Sequence, residues 1–532
     1  MNTSPTPGRS PIPGSPATPA PAPGLAASDG RSSGSVPSGG AGPELFTPPL
    51  PVPPVAGLCT FNQAIQPGMA VEECVAWFKR LHTLFRDLHL ILVGRITSEP
   101  CFELKTAFSL HAWLCAEQAT ALRNRVSELR EPPLGLDLPP EPGLAWALDE
   151  LRAAPGTALF CTALYGTVLP TLRQSLVSYC AVSQPLADAP SLRLVRHTLL
   201  DLDDMLDFGR RLLLGWEQLA PPPCDPFLAS TWTGELQQAL SASGLLAGTH
   251  RPPGADPSPD STIASQPPLP AHRFSQTPWQ FDPLPRRDAR FRDPYNGGVN
   301  PEAFLYDPAF LPRDKTLMLF YKRLREIDVP EMMASILVES RDKPWEFLHA
   351  MTRQLWDEAR HSLMGQVGFV ALGIDWTQIP VNFTWSLNLN TQLNAQERHA
   401  VLFFIEQGLM PRTGKRFEWE VAQQSGVPLA ATFQDFDWAD EVLHAQIGRK
   451  WYVTDFPDLN HALAYGDRCW SRVMSHWREY LDQGLTQHHN WWPDVYQQAC
   501  QVWNTPPDPG TLAFRENYSQ LRADLKEISS SD

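Results

Sequence analysis

Apolar residues recur at spacings of three and four positions along most of the sequence, which is the pattern of amphipathic helices. In the first half this spacing predicts helices over residues 71–92, 101–129 and 194–214. Alternation of apolar and polar residues, the pattern of a half-buried strand, is nearly absent. The sequence therefore predicts an all-α fold.

The second half carries the same spacing and predicts four helices in a particular order. The first of them starts near Pro330, with Asp328 as a candidate N-cap residue. The four helices are predicted over residues 330–338, 344–373, 395–408 and 433–454. One long connection between the second and third helices is typical of a ferritin-like four-helix bundle.

Proline contributes 54 of the 532 residues and is concentrated in two stretches that divide the chain. Residues 1–57 have almost no aromatic residues, and this composition predicts a disordered tail. Residues 248–300 combine prolines with aromatic residues, so we expect a strap or linker there. Two helical domains remain, over 58–247 and 301–532, and the second ends in aromatic-rich helices.

Composition and charge exclude several classes of protein. The formal charge of −15 argues against a non-specific nucleic-acid-binding protein. No apolar run approaches the length of about 18 residues that a membrane span needs. The nine cysteines form no Cys-x-x-Cys pair, which favours reduced thiols over disulfides or a zinc site. The N-terminus has no secretory signal pattern, so we expect a cytoplasmic protein.

Two copies of one short pattern carry the candidate chemistry. Glu358 and His361 are three residues apart on one predicted helix, and Glu441 and His444 are three residues apart on another. Residues at this spacing share a helix face, so each pair can bind one metal ion. Two such helices that face each other can hold two ions. The alternative for a single pair is a solvated helix face with one histidine.

A two-metal site needs further carboxylates, and a four-helix bundle takes one from each remaining helix. Glu331 and Glu406 precede the two pairs at distances that suit antiparallel helices. Glu331 is also explained as a first-turn residue that the helix dipole favours, and Glu326 and Glu339 are alternatives to it. The predicted metal ligands are Glu331, Glu358, His361, Glu406, Glu441 and His444.

These residues and their surroundings resemble a known superfamily. The stretches 357–361 (Asp-Glu-Ala-Arg-His), 406–409 and 440–444, followed by Gly448-x-x-Trp451, are similar to the ferritin-like di-iron carboxylate proteins. The similarity is greatest to bacterial members of unassigned function and covers roughly residues 310–455. It implies two bound iron ions, with manganese compatible in one position, and the activation of dioxygen.

The resemblance also implies roles for three residues beside the ligands. In similar di-iron monooxygenases an aspartate accepts the free ring N–H of a ligating histidine. Here Asp357 would serve His444, Asp440 would serve His361, and Arg360 would balance the charge. The alternative is that both aspartates are exposed.

The first helical domain is predicted to be a diverged, metal-free copy of the same bundle. Residues 115–122 are similar to the second bundle helix, with Thr120 in place of the histidine. Residues 203–207 are similar to the fourth, with Asp207 in place of the histidine. We expect this domain to pack on the metal-binding one.

The sequence leaves three functions open. The first is a di-iron oxygenase or oxidase that uses dioxygen and an electron donor to hydroxylate, N-oxygenate or desaturate an unidentified small molecule. The second is a ferroxidase, and the third is a structural scaffold. An RNA substrate would need a basic patch such as Arg412, Lys415 and Arg416 to offset the negative charge. The oligomeric state is open, and a homodimer is one expectation.

Overall fold

The computed structural model describes residues 52–129, 135–245, 268–473 and 477–516, except residues 272, 274 and 276. Within these ranges the protein is helical and contains no β-strand, which confirms the all-α prediction. No helix in the described ranges has the length and apolar character that a membrane crossing requires. Most of the predicted disordered tail, and residues 248–267 of the predicted strap, lie outside the described residues.

The first half of the chain contains the three long helices that the sequence predicts. A π-helical turn at Leu164–Val168 joins two of the helices. The helices are α1 (Phe61–Ala64), α2 (Val71–Val93), α3 (Phe102–Leu129), α4 (Pro142–Arg152), α5 (Thr157–Ala163), α6 (Leu169–Val182), α7 (Ala189–Glu217) and α8 (Pro226–Ala242).

The second half contains the four predicted helices and several more between them. The helices are α9 (Pro301–Tyr306), α10 (Pro312–Arg325), α11 (Asp328–Glu339), α12 (Trp345–Ala371), α13 (Thr384–Gln392), α14 (Ala395–Gly408), α15 (Lys415–Gln424), α16 (Pro428–Trp451), α17 (Leu459–Val473), α18 (Trp477–Asp482), α19 (Trp492–Val502) and α20 (Pro509–Leu512). The predicted helices correspond to α11, α12, α14 and α16. The helices α10 and α15 were not predicted from the sequence, and both contribute residues to the candidate metal centre.

Local sequence explains where the central helices begin and end. Asn394 and Glu397 form a capping box at the start of α14, in which each side chain accepts a hydrogen bond from the other's backbone N–H. Pro312 and Pro428 occupy the first helical positions of α10 and α16, where a missing N–H has no cost. Gly373 follows α12 with a φ of 68°, a left-handed conformation that ends a helix.

The described residues from Pro54 onward form one compact unit that contains all of these helices. Within it α12 is central: α3, α10, α11 and α16 pack on it, and α14 packs on α11 and α16. The described part of the proline-rich segment crosses the α2–α3 connection. There the backbone N–H groups of Arg286 and Asp288 donate hydrogen bonds to the carbonyl oxygens of Thr97 and Pro100, both at 3.0 Å. This packing brings polar residues of α10, α12, α14 and α16 together in the interior.

Candidate metal centre

Two groups of buried carboxylates and imidazoles meet between α10, α12, α14 and α16. In each group the candidate ligand atoms lie within 4.8 Å of one another. The first group, here called the His361 position, consists of Glu326, His361, Asp437 and Glu441. The second group, the His444 position, consists of Glu358, Glu406, Glu441 and His444.

Each long helix supplies a carboxylate and an imidazole from one face. The two pairs face each other across the bundle, and Glu358 lies between the two rings. Its Oε1 is 3.2 Å from His444 Nδ1, and its Oε2 is 3.6 Å from His361 Nδ1. Glu441 Oε2 is 3.5 Å from His444 Nδ1, and this residue belongs to both groups. Glu358 therefore lies close to both rings, and Glu441 would be available to an ion at either position.

The structure brings five of the six predicted ligands together but does not bring Glu331 to them. The side chain of Glu331 is buried against Lys105 and Arg287 and accepts a hydrogen bond from Ser386 Oγ at 3.0 Å. The fourth carboxylate is Glu326, whose Oε2 lies 3.4 Å from His361 Nδ1.

The helix boundaries explain this difference. Glu326 is the C-cap residue of α10, the helix that packs along α12, whereas Glu331 lies in the first turn of α11. Glu339, the other alternative, pairs with Arg398 at 3.0 Å and belongs to neither group. Glu326 is thus the carboxylate that the chain supplies from the helix before α12.

Both histidine rings are oriented by an aspartate from the opposite helix. His361 Nε2 is 3.1 Å from Asp440 Oδ2, and His444 Nε2 is 3.5 Å from Asp357 Oδ2. Arg360 Nη2 donates to both aspartates at 2.7 Å. Because Nε2 of each ring faces a carboxylate, Nδ1 is the atom of each ring that could bind a metal ion. The structure thus places Asp357, Asp440 and Arg360 beside the two rings.

Unsatisfied atoms show that the ligand set suits a cation. Buried polar atoms in proteins almost always have a hydrogen-bond partner. Five of the candidate ligand atoms, all among the described residues, have none, although carboxylate oxygens lie 3.2–3.8 Å from the two Nδ1 atoms. They are Glu326 Oε2, His361 Nδ1, Glu406 Oε2, Glu441 Oε2 and His444 Nδ1. Carboxylate and imidazole ligands in this mixture fit iron or manganese.

The electrostatics of the cluster also favour the uptake of a cation. Burial acts to lower the pKa of His361, but the surrounding carboxylates, Asp440 first among them, raise it to about 10. At His444 burial likewise acts to lower the pKa, but the surrounding carboxylates, Asp357 first among them, raise it well above its usual value. Burial, together with the charge of Glu441, raises the pKa of Glu406. The cluster therefore holds protons that a metal ion would displace.

Three residues at the His361 position or in contact with it were not predicted as part of a metal site from the sequence. Asp437 lies four residues before Glu441 on the same face of α16, a spacing that could have identified it. Lys415 Nζ is 3.0 Å from both Asp437 oxygens, and Arg323 also pairs with Asp437. No local pattern reveals these two cations, because they reach the cluster through the packing of α15 and α10.

The predicted basic patch is not formed as three surface residues. Arg412 and Arg416 are exposed, but Lys415 is buried and points toward the cluster. Arg416 is in addition paired with Glu420 at 3.1 Å. Lys415 therefore belongs to the candidate metal centre.

The corresponding residues of the first half have other partners. Thr120 Oγ1 accepts a hydrogen bond from Trp345 Nε1 at 2.8 Å, and Glu117 is 2.8 Å from His349 Nε2. Asp207 pairs with Arg211 at 3.0 Å on the surface. These side chains connect α3 to α12 or face solvent.

Comparisons of the chain with protein-family models, with curated proteins and with solved structures found no match. A function for this chain is therefore inferred from the geometry of its site.

Proposed function

We propose that this protein is a ferritin-like di-iron oxidoreductase that activates dioxygen and oxidises a small-molecule substrate, with electrons from a separate donor. The observation that carries the proposal is the pair of opposed Glu-x-x-His motifs. Their Nδ1 atoms are buried and unpartnered within the described residues, with Glu358 between them. Facing motifs of this kind on two helices are the ligand arrangement of ferritin-like di-metal sites.

The order of helices also supports a ferritin-like bundle. Glu326 follows α10, the first pair lies on α12, Glu406 lies on α14, and the second pair lies on α16. The connection from α12 to α14 is the long one and contains α13. The chain thus presents a carboxylate, a Glu-x-x-His motif, a second carboxylate and a second motif in this order. A ferritin-like bundle with a single long crossover has its ligands in the same order.

The residues that would hold the ions are Glu326, Glu358, His361, Glu406, Glu441 and His444, and Asp437 is a further member of the His361 position. Two ferrous ions bound side by side can together supply two electrons to one dioxygen molecule. Manganese is compatible with one position because the site is rich in oxygen ligands.

The chain's own contribution is to hold the ligands in place in a dry site. Asp357 and Asp440 fix the orientation of the two rings through Nε2, and Arg360 ties the two aspartates together. Gln354 Nε2 donates to Glu406 Oε1 at 3.0 Å and leaves Oε2 free. Glu358 and His444 are at most 2% exposed, so solvent does not compete for their ligand atoms.

Oxygen consumption tests the proposal. The protein loaded anaerobically with ferrous iron and then mixed with oxygenated buffer should consume dioxygen and produce ferric iron. The His444→Ala variant should lose this reaction, because it removes the imidazole of one position. The matched control is His349→Ala, since His349 also lies on α12 but contacts Glu117 of α3, outside the site.

The amount of iron oxidised distinguishes the outcomes. Oxidation that stops after the bound iron, and resumes only with an added reductant, supports an oxygenase or oxidase. Continued oxidation of many added ferrous ions per chain would instead indicate a ferroxidase. A parent protein that consumes no dioxygen would contradict the proposed function.

A further inference from the structure

The two positions of the proposed site differ in the cations that surround them. At the His361 position Lys415 Nζ lies 3.0 Å from both oxygens of Asp437 and 2.9 Å from Glu441 Oε1. Arg323 lies 2.8 Å from Glu326 Oε1 and also pairs with Asp437. The side chains of both cations are only 1% exposed, so these ion pairs are not weakened by water.

The His444 position lacks this arrangement. Glu406 contacts the neutral amide of Gln354, and its Oε2 has no hydrogen-bond partner within the described residues. Glu441 turns its other oxygen, Oε2, toward His444 Nδ1 and leaves Oε1 to Lys415. The ligand atoms of this position are therefore free to receive an ion without the movement of a cation.

We infer that the two metal positions load in a fixed order, with the His444 position first, because Lys415 holds the Asp437 and Glu441 carboxylates of the His361 position. This inference rests on the proposed function and adds a regulatory residue to the same site. A second divalent ion must take carboxylate oxygens from the buried ammonium and approach it against charge repulsion. Lys415 thus makes the second ion bind more weakly than the first.

Titration of the metal-free parent protein with Mn²⁺ measures this order. Calorimetry should show two binding events, and the second dissociation constant should be larger than the first by about tenfold or more. This factor corresponds to the free energy of one hydrogen bond to a charged group. Electron paramagnetic resonance should show an isolated Mn²⁺ ion at low loading. The signal of a coupled pair should appear only as the second ion binds.

Removal of the ammonium tests the role of Lys415. The Lys415→Met variant keeps the length of the side chain and should lower the second dissociation constant by about tenfold or more, while the first changes little. Lys322→Met is the matched control. Lys322 is a lysine of the same network that contacts Glu418 and Glu302 but no candidate ligand. It should change neither constant.

Two further variants assign the order to positions and do not depend on the folding of Lys415→Met. His361→Ala should keep the first, tighter binding event and lose the second. His444→Ala should lose the tighter event. The opposite pattern would overturn the assigned order.

The outcomes separate this inference from the proposed function. Equal affinities in the parent, a coupled signal from the first addition, or an unchanged second constant in Lys415→Met would each overturn the inference and leave a two-metal site in place. A parent protein that binds neither Mn²⁺ nor anaerobically added Fe²⁺ would overturn both.

Discussion

At the scale of single residues, two clusters of buried glutamate and positive charge among the described residues can be compared, and the cluster around Glu358 suits a metal whereas the one around Glu331 does not. Glu358 and Glu406 are surrounded by carboxylates and by unpartnered imidazole nitrogens. Glu331 is fully buried too, but Lys105 and Arg287 already neutralise it. The difference lies in the partners of each carboxylate and not in its burial.

Glu326 and Glu331 are therefore expected to differ in their effect on metal binding. Glu326→Ala should weaken metal binding at the His361 position, because Glu326 contributes an unpartnered oxygen to it. It should also lower the free energy of unfolding, because it removes a carboxylate partner of the buried Arg323. Glu331→Ala should keep the metal but lower the free energy of unfolding by about 3 kcal/mol, since it breaks a buried ion pair of Arg287. Metal analysis and urea unfolding of both variants measure this. If the Glu331→Ala variant folded but bound no metal, the assignment of the ligands would be wrong.

Metal binding is expected to depend on pH through the histidines. In the metal-free protein the pKa of His361 is raised to about 10, so the ring is protonated at neutral pH. A metal ion binds only the neutral ring, so binding releases this proton, and the affinity should rise as the pH rises toward 10.

Calorimetry at pH 7 in two buffers with different ionisation enthalpies measures the release, which should be about one proton or more per chain. His361→Ala should release fewer protons than the parent. A binding enthalpy that is independent of the buffer would contradict the raised pKa.

At the scale of secondary-structure elements, the close contact of α10 with α12 sets the position of Glu326. The two helices approach at Gly365, where an added Cβ would lie 2.6 Å from Phe320 O and would also clash with the backbone N of Leu324. Leu324 lies two residues before Glu326, so a displacement at this point moves the carboxylate away from His361.

Gly365→Ala is accordingly expected to destabilise the protein and to weaken the binding of the second metal ion. The free energy of unfolding should fall by about 1–3 kcal/mol, the range for overpacking a well-packed core. Gly234→Ala in α8 is the matched control, because a Cβ there meets no atom within 4 Å and alanine favours a helix. Thermal unfolding and metal titration of the pair measure the effect. Equal stability of the two variants would contradict the close contact.

The sequence predicted the elements better than their contacts. The spacing of apolar residues predicts α12, α14 and α16. The two Glu-x-x-His motifs can be read directly from the sequence within α12 and α16. Glu326 was only an alternative, because α10 and α11 are separated by two residues and the turn between them decides which glutamate faces His361. Lys415 could not be placed, since its burial depends on how α15 packs against its neighbours. Local periodicity carries no information about such tertiary contacts.

At the scale of the whole molecule, the two halves of the chain share one interface beside the site. His89 Nε2 lies 2.6 Å from Thr352 Oγ1, and the rings of Trp113 and Trp356 stack at 6.4 Å. The α3 residue Lys105 is buried against Glu331 of α11. Helices of the first half thus support the back of α12, the helix that carries Glu358.

The compact unit is therefore expected to unfold cooperatively. Calorimetry should show one main transition, and bound metal should raise its midpoint as a whole, because a ligand of the folded state stabilises everything that unfolds with its site. A chelator should reverse the shift. Two separate transitions, of which only one responds to metal, would show that the halves fold independently.

The metal content of the purified chain tests the central claim most directly. Elemental analysis of protein from iron-supplemented cells should find about two iron ions per chain in the parent, the number that paired Glu-x-x-His motifs bind. The Glu358→Ala variant, which removes the carboxylate between the two positions, should contain almost none. Helical content by circular dichroism should be the same in both proteins. Absence of bound metal from the parent, or equal iron in the parent and the variant, would contradict the di-iron site.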